Sequence, residues 1–305
     1  MTKPITAGMV RELREMTGAG MMDCKKALTE TKGETEAAVD WLRKKGLSSA
    51  GKKSARVAAD GLVGVLTNEK VGAIVEVNSE TDFVARNDQF QGFVKEVTQL
   101  VLDNDVDVEK LKTLKVPSSG RTVQEEITHL IAVIGENMAL RRVGRLEVKE
   151  GVVSSYMHNA IAPNLGKIGV LVALEAPAKT EELQAFAKSL SMHVAAAKPE
   201  YLSIEDISAD ALKRERTVLM EQAKASGQPD NIIEKIIEGR IRKFYEEVVL
   251  HEQVYVIDGK TKVNKLVKAH KGEPKIAGFF RYGLGEGIEK EATDFAEEVA
   301  AQANK

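Results

Sequence analysis

The spacing between apolar residues changes along the chain, and this change constrains the fold more than any other feature of the sequence. Residues 5–42 place apolar side chains at helical spacing, with breaks at residues 17–20 and 32–33 that both contain glycine. From Leu62 the spacing becomes two, first in Leu62–Leu66 and again in Ala73–Val77, which predicts a β-hairpin. We therefore expect an α+β protein with antiparallel sheets that begins with three helices.

The expected helix ends come from capping residues. Thr6 is placed to cap the first helix and Asp23 the second, and the third is expected to end before Gly46. Residues 43–56 then carry six basic side chains and no acidic one. We interpret this segment as a solvated linker, which is favoured over a phosphate-binding strip.

Strand followed by helix occurs twice in the middle of the chain. The first hairpin precedes amphipathic helices over Phe90–Val101 and Val123–Ile134, the second of which opens with a capping box from Thr122 to Glu125. The next expected elements are three extended segments and a helix, at residues 138–148, 152–157, 168–175 and 183–194. This repetition predicts two similar α+β subdomains.

Residues 208–248 differ from the rest because they read as two charged amphipathic helices joined at 226–230. They predict an antiparallel helical hairpin, which either projects and forms a dimer seam or folds back on its own domain. Strand-like residues 255–257 and 276–282 then precede a last helix at 292–301.

The expected organisation follows from these elements. In chain order it comprises a three-helix domain (1–46), a basic linker (47–59), a first core subdomain (60–148), the first part of a second core subdomain (149–207), the helical hairpin (208–248), the remainder of the second subdomain (249–284) and a C-terminal helical module (285–305).

Composition limits the classes of partner. The chain has 44 Lys and Arg against 46 Asp and Glu, a net charge of -2, which argues against direct binding to nucleic acid or an acidic membrane. No apolar run approaches the ~20 residues that cross a bilayer, and no secretory signal is expected at the start. A single cysteine, Cys24, cannot form an internal disulfide. These features predict a cytoplasmic protein.

The sequence predicts no catalytic residue, no metal site and no cofactor. Its five histidines include no pair at the spacing of four that places two metal ligands on one helix face, and His193 is expected to be a hydrogen-bonded core or boundary residue. Residues 46–53 resemble a phosphate-binding loop but have Lys53 where a hydroxyl is needed, and residues 283–287 read as a simple loop. For Cys24, packing is favoured over nucleophilic catalysis.

The polar segment Asn78–Asn87 carries one large aromatic side chain, Phe83, next to Asp82 and Val84. An isolated phenylalanine is more often part of its own protein's core. The alternative is an apolar anchor that projects beside an acid and enters a partner's pocket. The residues alone leave both interpretations open.

Four motifs match a known family, and the match covers nearly the whole chain. They are Leu13–Leu28, Asn78–Ala85 with Thr81-Asp82-Phe83-Val84 at its centre, Ile134–Asn137 and Ser155–His158. In these motifs the chain resembles the bacterial elongation factor Ts family, whose members are guanine-nucleotide exchange factors for elongation factor Tu. It departs from the family pattern at 159–166, where residues intervene before the next strand.

The resemblance implies a fold, a function in translation elongation during protein biosynthesis and a partner. The three-helix domain would be ubiquitin-associated-like, and the hairpin a coiled coil used in dimerisation or in a two-to-two complex. The chain would be an exchange factor and not an enzyme. It would bind GDP-loaded elongation factor Tu, dislodge Mg²⁺ and promote GDP release so that GTP can bind. Both the GDP-bound and the nucleotide-free partner would be bound.

The resemblance also implies site residues. Thr81, Asp82, Phe83 and Val84 would form the loop that dislodges magnesium. The other implied partner contacts are Met22 and Lys25 in the N-terminal domain, Ile134, Gly135 and His158 in the core, and Val256 and Ile257 in the later interface. The alternatives to this function are a ubiquitin-associated-type adaptor and a reductase or hydrolase that uses Cys24.

Overall fold

A computed structural model of the chain describes residues 4–177, 180–225 and 230–289, and its elements confirm the α+β class. The helices are α1 Ala7–Thr17, α2 Met21–Glu30, α3 Thr35–Lys53, α4 Asp88–Asp103, α5 Val108–Thr113, α6 Val123–Ile134, α7 Glu181–Ala197, α8 Ala209–Ala225, α9 Asp230–Val248 and α10 Val263–Ala269. The strands are β1 Asp60–Thr67, β2 Val71–Ser79, β3 Met138–Glu147, β4 Gly151–Ala162, β5 Leu165–Glu175 and β6 Lys275–Gly283. The helix expected at 292–301 lies outside the described residues.

The three N-terminal helices form a unit with its own small core. Thr6 caps α1, as predicted, because its Oγ1 accepts a hydrogen bond from the N–H of Met9 (3.3 Å). The residue before α2 is Gly20, so the prediction that Asp23 caps this helix was wrong; Asp23 lies in its first turn. The buried side chains of the unit are Val10, Leu13, Cys24, Ala27, Leu28 and Ala38.

Helix α3 runs past its predicted end at Gly46 and continues to Lys53, so the first seven residues of the expected linker are helical. Tertiary contact explains the difference. A Cβ atom at Gly46 would lie 3.2 Å from that of Ala132 in α6, so the small residue lets the two helices approach closely. Packing of this kind outweighs the low helix propensity of one glycine.

The six strands form one antiparallel sheet in the order β3-β2-β1-β5-β4, with β6 also paired to β5. The predicted hairpin of β1 and β2 is confirmed, with Leu62 opposite Val77. Strand β1 also pairs with β5 through Val63 and Gly166, so a single sheet runs through both predicted subdomains. Residues 159–166 lengthen the β4–β5 hairpin and include its turn.

Two clusters of buried side chains pack helices onto the sheet. The first joins β1, β2 and β3 to α4 and α6, with Phe90, Val94 and Ile127 among its members. The second joins β4, β5 and β6 to α7 and α10 and includes Leu190 and Leu250. The first cluster also contains Leu165 of β5, so this strand contributes to both clusters.

The sheet curls, so that β1 and β2 face β5 and β6 across a third, smaller cluster that includes Ile74 and Leu171. Gly169 is needed at this close approach. A Cβ atom at that position would lie 2.6 Å from Cγ1 of Val63, which is shorter than carbon atoms tolerate.

Helices α8 and α9 form the predicted hairpin and pack against each other. Their shared cluster contains Ala223 from α8 and Ile233, Ile237 and Ile241 from α9, spaced four residues apart. Val218 and Met220 of α8 remain exposed.

The segment before α10 is a turn, so the strand predicted at Tyr255–Ile257 was wrong. The carbonyl of Tyr255 accepts from the N–H of Gly259 (2.9 Å), which curls the backbone back on itself. The short helices α5 and α10 had not been predicted. Across the part of the chain that the structure describes, every helix is too short or too polar to span a membrane.

Candidate functional site

The loop that carries Phe83 is short and fixed at both ends. It leaves β2 at Ser79 and enters a short 3-10 helix, Val84–Arg86, that leads into α4. Asn87 caps α4, since its Oδ1 accepts from the N–H groups of Gln89 (3.0 Å) and Phe90 (3.1 Å). Few residues are therefore free to move between strand and helix.

Phe83 lies at the surface of this loop with 80% of its area exposed. Its neighbours Val84 and Ala85 are buried at 3% and 1% and belong to the first core cluster. The interpretation that tucked Phe83 into the core was thus wrong, because the two following residues take the core position. Asp82 is exposed as well.

Carboxylates hold the loop to the turn between α6 and β3. Glu136 accepts hydrogen bonds from both the N–H (2.9 Å) and the Oγ1–H (2.7 Å) of Thr81. In return, Glu80 accepts from the N–H of Asn137. Inside the loop, Oγ of Ser79 donates to the carbonyl of Thr81 (2.9 Å).

Ile134 and Gly135 lie in this same turn. Gly135 ends α6 with a positive φ of +94°, and its N–H donates to the carbonyl of Ile131 (3.1 Å). Ile134 is half-buried against the first cluster and Gly135 is exposed. The structure therefore brings Ile134 and Gly135 next to Thr81, although 53 residues separate Thr81 from Ile134 in the chain.

Met22 and Lys25 are both exposed on α2, Met22 at 75%. Cys24 between them is buried and directs Sγ to the carbonyl of Ala19 (3.5 Å). Burial raises the pKa of the Cys24 thiol, which disfavours its nucleophilic thiolate. This agrees with the packing role.

The N-terminal unit lies against α6. The guanidinium of Arg43 pairs with Glu125 (2.6 Å), and a Cβ atom at Gly18 would lie 3.7 Å from Val133 and from Gln89. Met22 and Lys25 are therefore carried by a unit that packs on the helix ending at Gly135.

His158 is exposed on β4, in the half of the strand that leads to the lengthened hairpin. Its Nδ1 lies 3.2 Å from the hydroxyl of Tyr156, and the Lys188 ammonium lies over the Tyr156 ring at 5.3 Å. Burial lowers the pKa of Lys188. His158 is therefore exposed to solvent on the second core unit, with its ring beside Tyr156.

Val256 and Ile257 project from the turn before α10 and are 47% and 58% exposed. His193 of α7 holds this turn, because its Nδ1 accepts from the N–H of Val256 (3.3 Å) while its Nε2 lies 3.1 Å from Oε1 of Gln253. The prediction of a hydrogen-bonded core histidine is confirmed. Burial lowers the pKa of His193, which keeps the ring neutral.

Sequence reasoning missed the residues that position the loop. Glu136 and Glu80 both lie within motifs of the sequence, but neither was assigned a role. The available signal for Glu136 was its position directly after a glycine that ends a helix. Its partner, Thr81, could not be predicted because it is distant in the chain. Within the described ranges, no group of three or more His, Cys, Asp or Glu residues is arranged to hold a metal ion.

Comparison with known proteins gives one consistent result. A family model described as Elongation factor TS matches residues 80–286. The protein named Elongation factor Ts from Rhodospirillum centenum is 61% identical over 303 residues, which covers 98% of this chain and 99% of the relative. The protein of the same name from Rhodospirillum rubrum is 62% identical, over 99% of this chain and 99% of the relative. The one from Paramagnetospirillum magneticum is 60% identical, over 98% of this chain and 97% of the relative. The chain therefore belongs to the elongation factor Ts family.

Proposed function

We propose that this chain is a guanine-nucleotide exchange factor that binds GDP-loaded elongation factor Tu and promotes GDP release so that GTP can bind. It acts in the cytoplasm during translation elongation and catalyses no chemical reaction itself. The observation that carries this proposal is the exposure of Phe83 beside Asp82 on a loop that is fixed at both ends.

The proposed action follows from how a GTPase holds GDP. Backbone amides and a magnesium ion offset the negative charge of the diphosphate. An aromatic side chain that enters a pocket next to this site pushes the surrounding segments apart, and a carboxylate beside it disturbs the ion's water ligands. Phe83 and Asp82 supply these two groups side by side.

The magnitudes are consistent with a partial role for Phe83. Burying one phenylalanine side chain is worth roughly 1.5–3 kcal/mol. Each tenfold gain in release rate requires about 1.4 kcal/mol less barrier. Phe83 alone can therefore contribute about one or two powers of ten, and the wider interface supplies the remainder.

The wider interface comprises three further groups of residues. They are Met22 and Lys25 on the N-terminal unit, Ile134 and Gly135 beside the loop, and His158 with Val256 and Ile257 on the second core unit. Together they stabilise the nucleotide-free partner. Because linkage is reciprocal, GDP or GTP weakens the complex in turn. The hairpin of α8 and α9 joins two copies of the chain.

Release of a fluorescent GDP analogue from elongation factor Tu tests the proposal. The unaltered chain should accelerate release, and Asp82→Ala and Phe83→Ala should slow it, Phe83→Ala by about tenfold or more because its burial energy is lost. Matched controls are Asp105→Ala, which removes another exposed acid, and Ile204→Ala, which removes another exposed apolar side chain.

The outcomes separate the alternatives. No acceleration by the unaltered chain contradicts the exchange function and leaves the adaptor as the stronger candidate. Acceleration that Asp82→Ala and Phe83→Ala do not reduce contradicts the role of the loop but not the function. An activity lost in Cys24→Ser with unchanged partner binding would support the enzyme alternative.

A further inference from the structure

Two carboxylates connect the Phe83 loop and the turn after α6 in opposite directions. Glu136, in the turn, binds Thr81 of the loop through both of its oxygens, at 2.9 and 2.7 Å. Glu80, in the loop, binds the N–H of Asn137 in the turn. We call this set of contacts the carboxylate clamp.

The clamp is partly shielded from water and ties in a third segment. The side chain of Glu80 is 21% exposed, and Glu136 and Thr81 are half-buried. Arg56, after α3, lies 3.5 Å from Oε1 of Glu80, and its carbonyl accepts from Nδ2 of Asn137 (2.8 Å). Hydrogen bonds to an ionised acceptor are stronger than neutral ones, and shielding strengthens them further.

The position of the clamp determines which residues can move. Thr81 is held on one side of Asp82 and Phe83, and the buried Val84 and Ala85 hold the other side. Two exposed residues thus lie between two fixed points. Without the clamp, an exposed aromatic side chain can rotate onto nearby apolar surface, because burying apolar area is favourable.

We propose that Glu136 and Glu80 are positioning residues that hold Phe83 in its projecting conformation before the partner arrives. The inference rests on the proposed exchange function. Because the ordering of the loop is completed on folding, none of its entropy cost falls on the encounter with the GTPase. The clamp also makes the loop and the Ile134–Gly135 turn one surface.

Glu136→Gln and Thr81→Val test the clamp. Each retains the shape of its residue, but the first removes the charge and one acceptor, and the second removes the hydroxyl donor. We expect the maximal rate of GDP release to fall about tenfold in either variant, as expected for loss of a charge-assisted hydrogen bond. The half-saturating concentration should change less than about twofold, since the other contact surfaces are intact. The double variant should be no slower than the slower single one.

Amide hydrogen exchange supplies a readout that general destabilisation does not produce. In Glu136→Gln, the amide of Thr81, which donates to Glu136, should exchange faster while β2, α4 and the melting temperature stay as in the unaltered chain. Glu126→Gln is the matched control, because Glu126 lies in α6, just before this turn, but pairs with Arg121 at 2.8 Å. It should change neither the release rate nor the exchange of the Thr81 amide.

Each outcome decides between the two proposals. If the unaltered chain accelerates release and Glu136→Gln matches it in rate and in exchange, the clamp inference is wrong and the exchange function stands. If exchange rises throughout the chain and the melting temperature falls, the role of Glu136 is structural and the inference is again wrong. If the unaltered chain does not accelerate release, the proposed function fails and the inference falls with it.

Discussion

His193 uses its two ring nitrogens for different tasks, and both depend on the neutral ring. Gln253 donates from Nε2 to the carbonyls of Ala197 (3.1 Å) and Glu247 (2.7 Å), so its Oε1 is left to accept from Nε2–H of His193. The other nitrogen, Nδ1, must then be the acceptor for the N–H of Val256. A proton at Nδ1 would remove this contact with the exposed turn.

We expect the free energy of unfolding to decrease as the pH falls from about 7 to 5. A histidine in the unfolded chain has a pKa near 6.5, and burial lowers the pKa of His193 below that value. Between the two values the unfolded state binds more protons, so acid favours unfolding, by at most about 1.4 kcal/mol per pH unit. Burial lowers the pKa of His129 and His251 too, so they add to the same slope.

Urea denaturation at several pH values measures this slope. His193→Asn keeps an acceptor for the N–H of Val256 but does not titrate, so its slope should be smaller than that of the unaltered chain. Equal slopes in His193→Asn and the unaltered chain would contradict the prediction.

At the scale of elements, the hairpin of α8 and α9 buries its isoleucines internally and leaves other apolar side chains outside. Val218 is 47% exposed and Met220 is 42% exposed. An open cavity of about 450 Å³ lies along the same helix, lined by residues that include Leu212 and Met220. A second copy of the chain would cover such side chains, which is the basis of the dimer proposal.

Sedimentation of the free chain tests this dimer. We expect a mass near twice the 33.3 kDa of one chain that decreases on dilution. Val218→Glu should lower the dimer fraction because it places a charge in an apolar contact, whereas Val218→Leu should preserve it. A monomer mass at every concentration would contradict the proposal without affecting the exchange function.

At the scale of the whole molecule, Glu76 of β2 connects segments that are far apart in the chain. It is fully buried in β2 and accepts hydrogen bonds from Arg141 (3.0 Å) and Arg142 of β3. It also accepts from the N–H of Gly285 (2.8 Å), which follows the last strand, and from Asn78 (3.0 Å). This carboxylate therefore connects the strand that leads to the Phe83 loop with the segment that follows β6.

Glu76→Gln should lower the free energy of unfolding by about 3 kcal/mol, because two arginines lose a buried anion and the new amide donors face them. Glu147→Gln is the matched control. Glu147 also pairs with an arginine of β3, Arg145 at 2.6 Å, but its side chain is 57% exposed, so the loss should stay below about 1 kcal/mol. Urea denaturation measures both, and equal losses would contradict the role of Glu76.

Much of the fold could be predicted because its signals are local. Alternation in Leu62–Leu66 and Ala73–Val77 predicts the first hairpin, and the capping box at Thr122 and Glu125 forms with both hydrogen bonds. The errors occurred where distant contacts decide. The low helix propensity of glycine predicts a helix end at Gly46, but the helix continues because Gly46 packs against Ala132. The apolar run Tyr255–Ile257 predicts a strand, but these residues form a turn that His193 holds by a hydrogen bond.

By itself, the sequence determined the fold class, the order of most elements and the family, because periodicity, capping residues and motifs are all readable along the chain. Only the tertiary structure decided that Phe83 projects and that Val84 packs inside, since no local pattern says which of two adjacent apolar residues faces the core. It also decided the partner of Thr81. Glu136 stands 55 residues away in the chain, and only the return of β3 alongside β2 brings its carboxylate within hydrogen-bond distance.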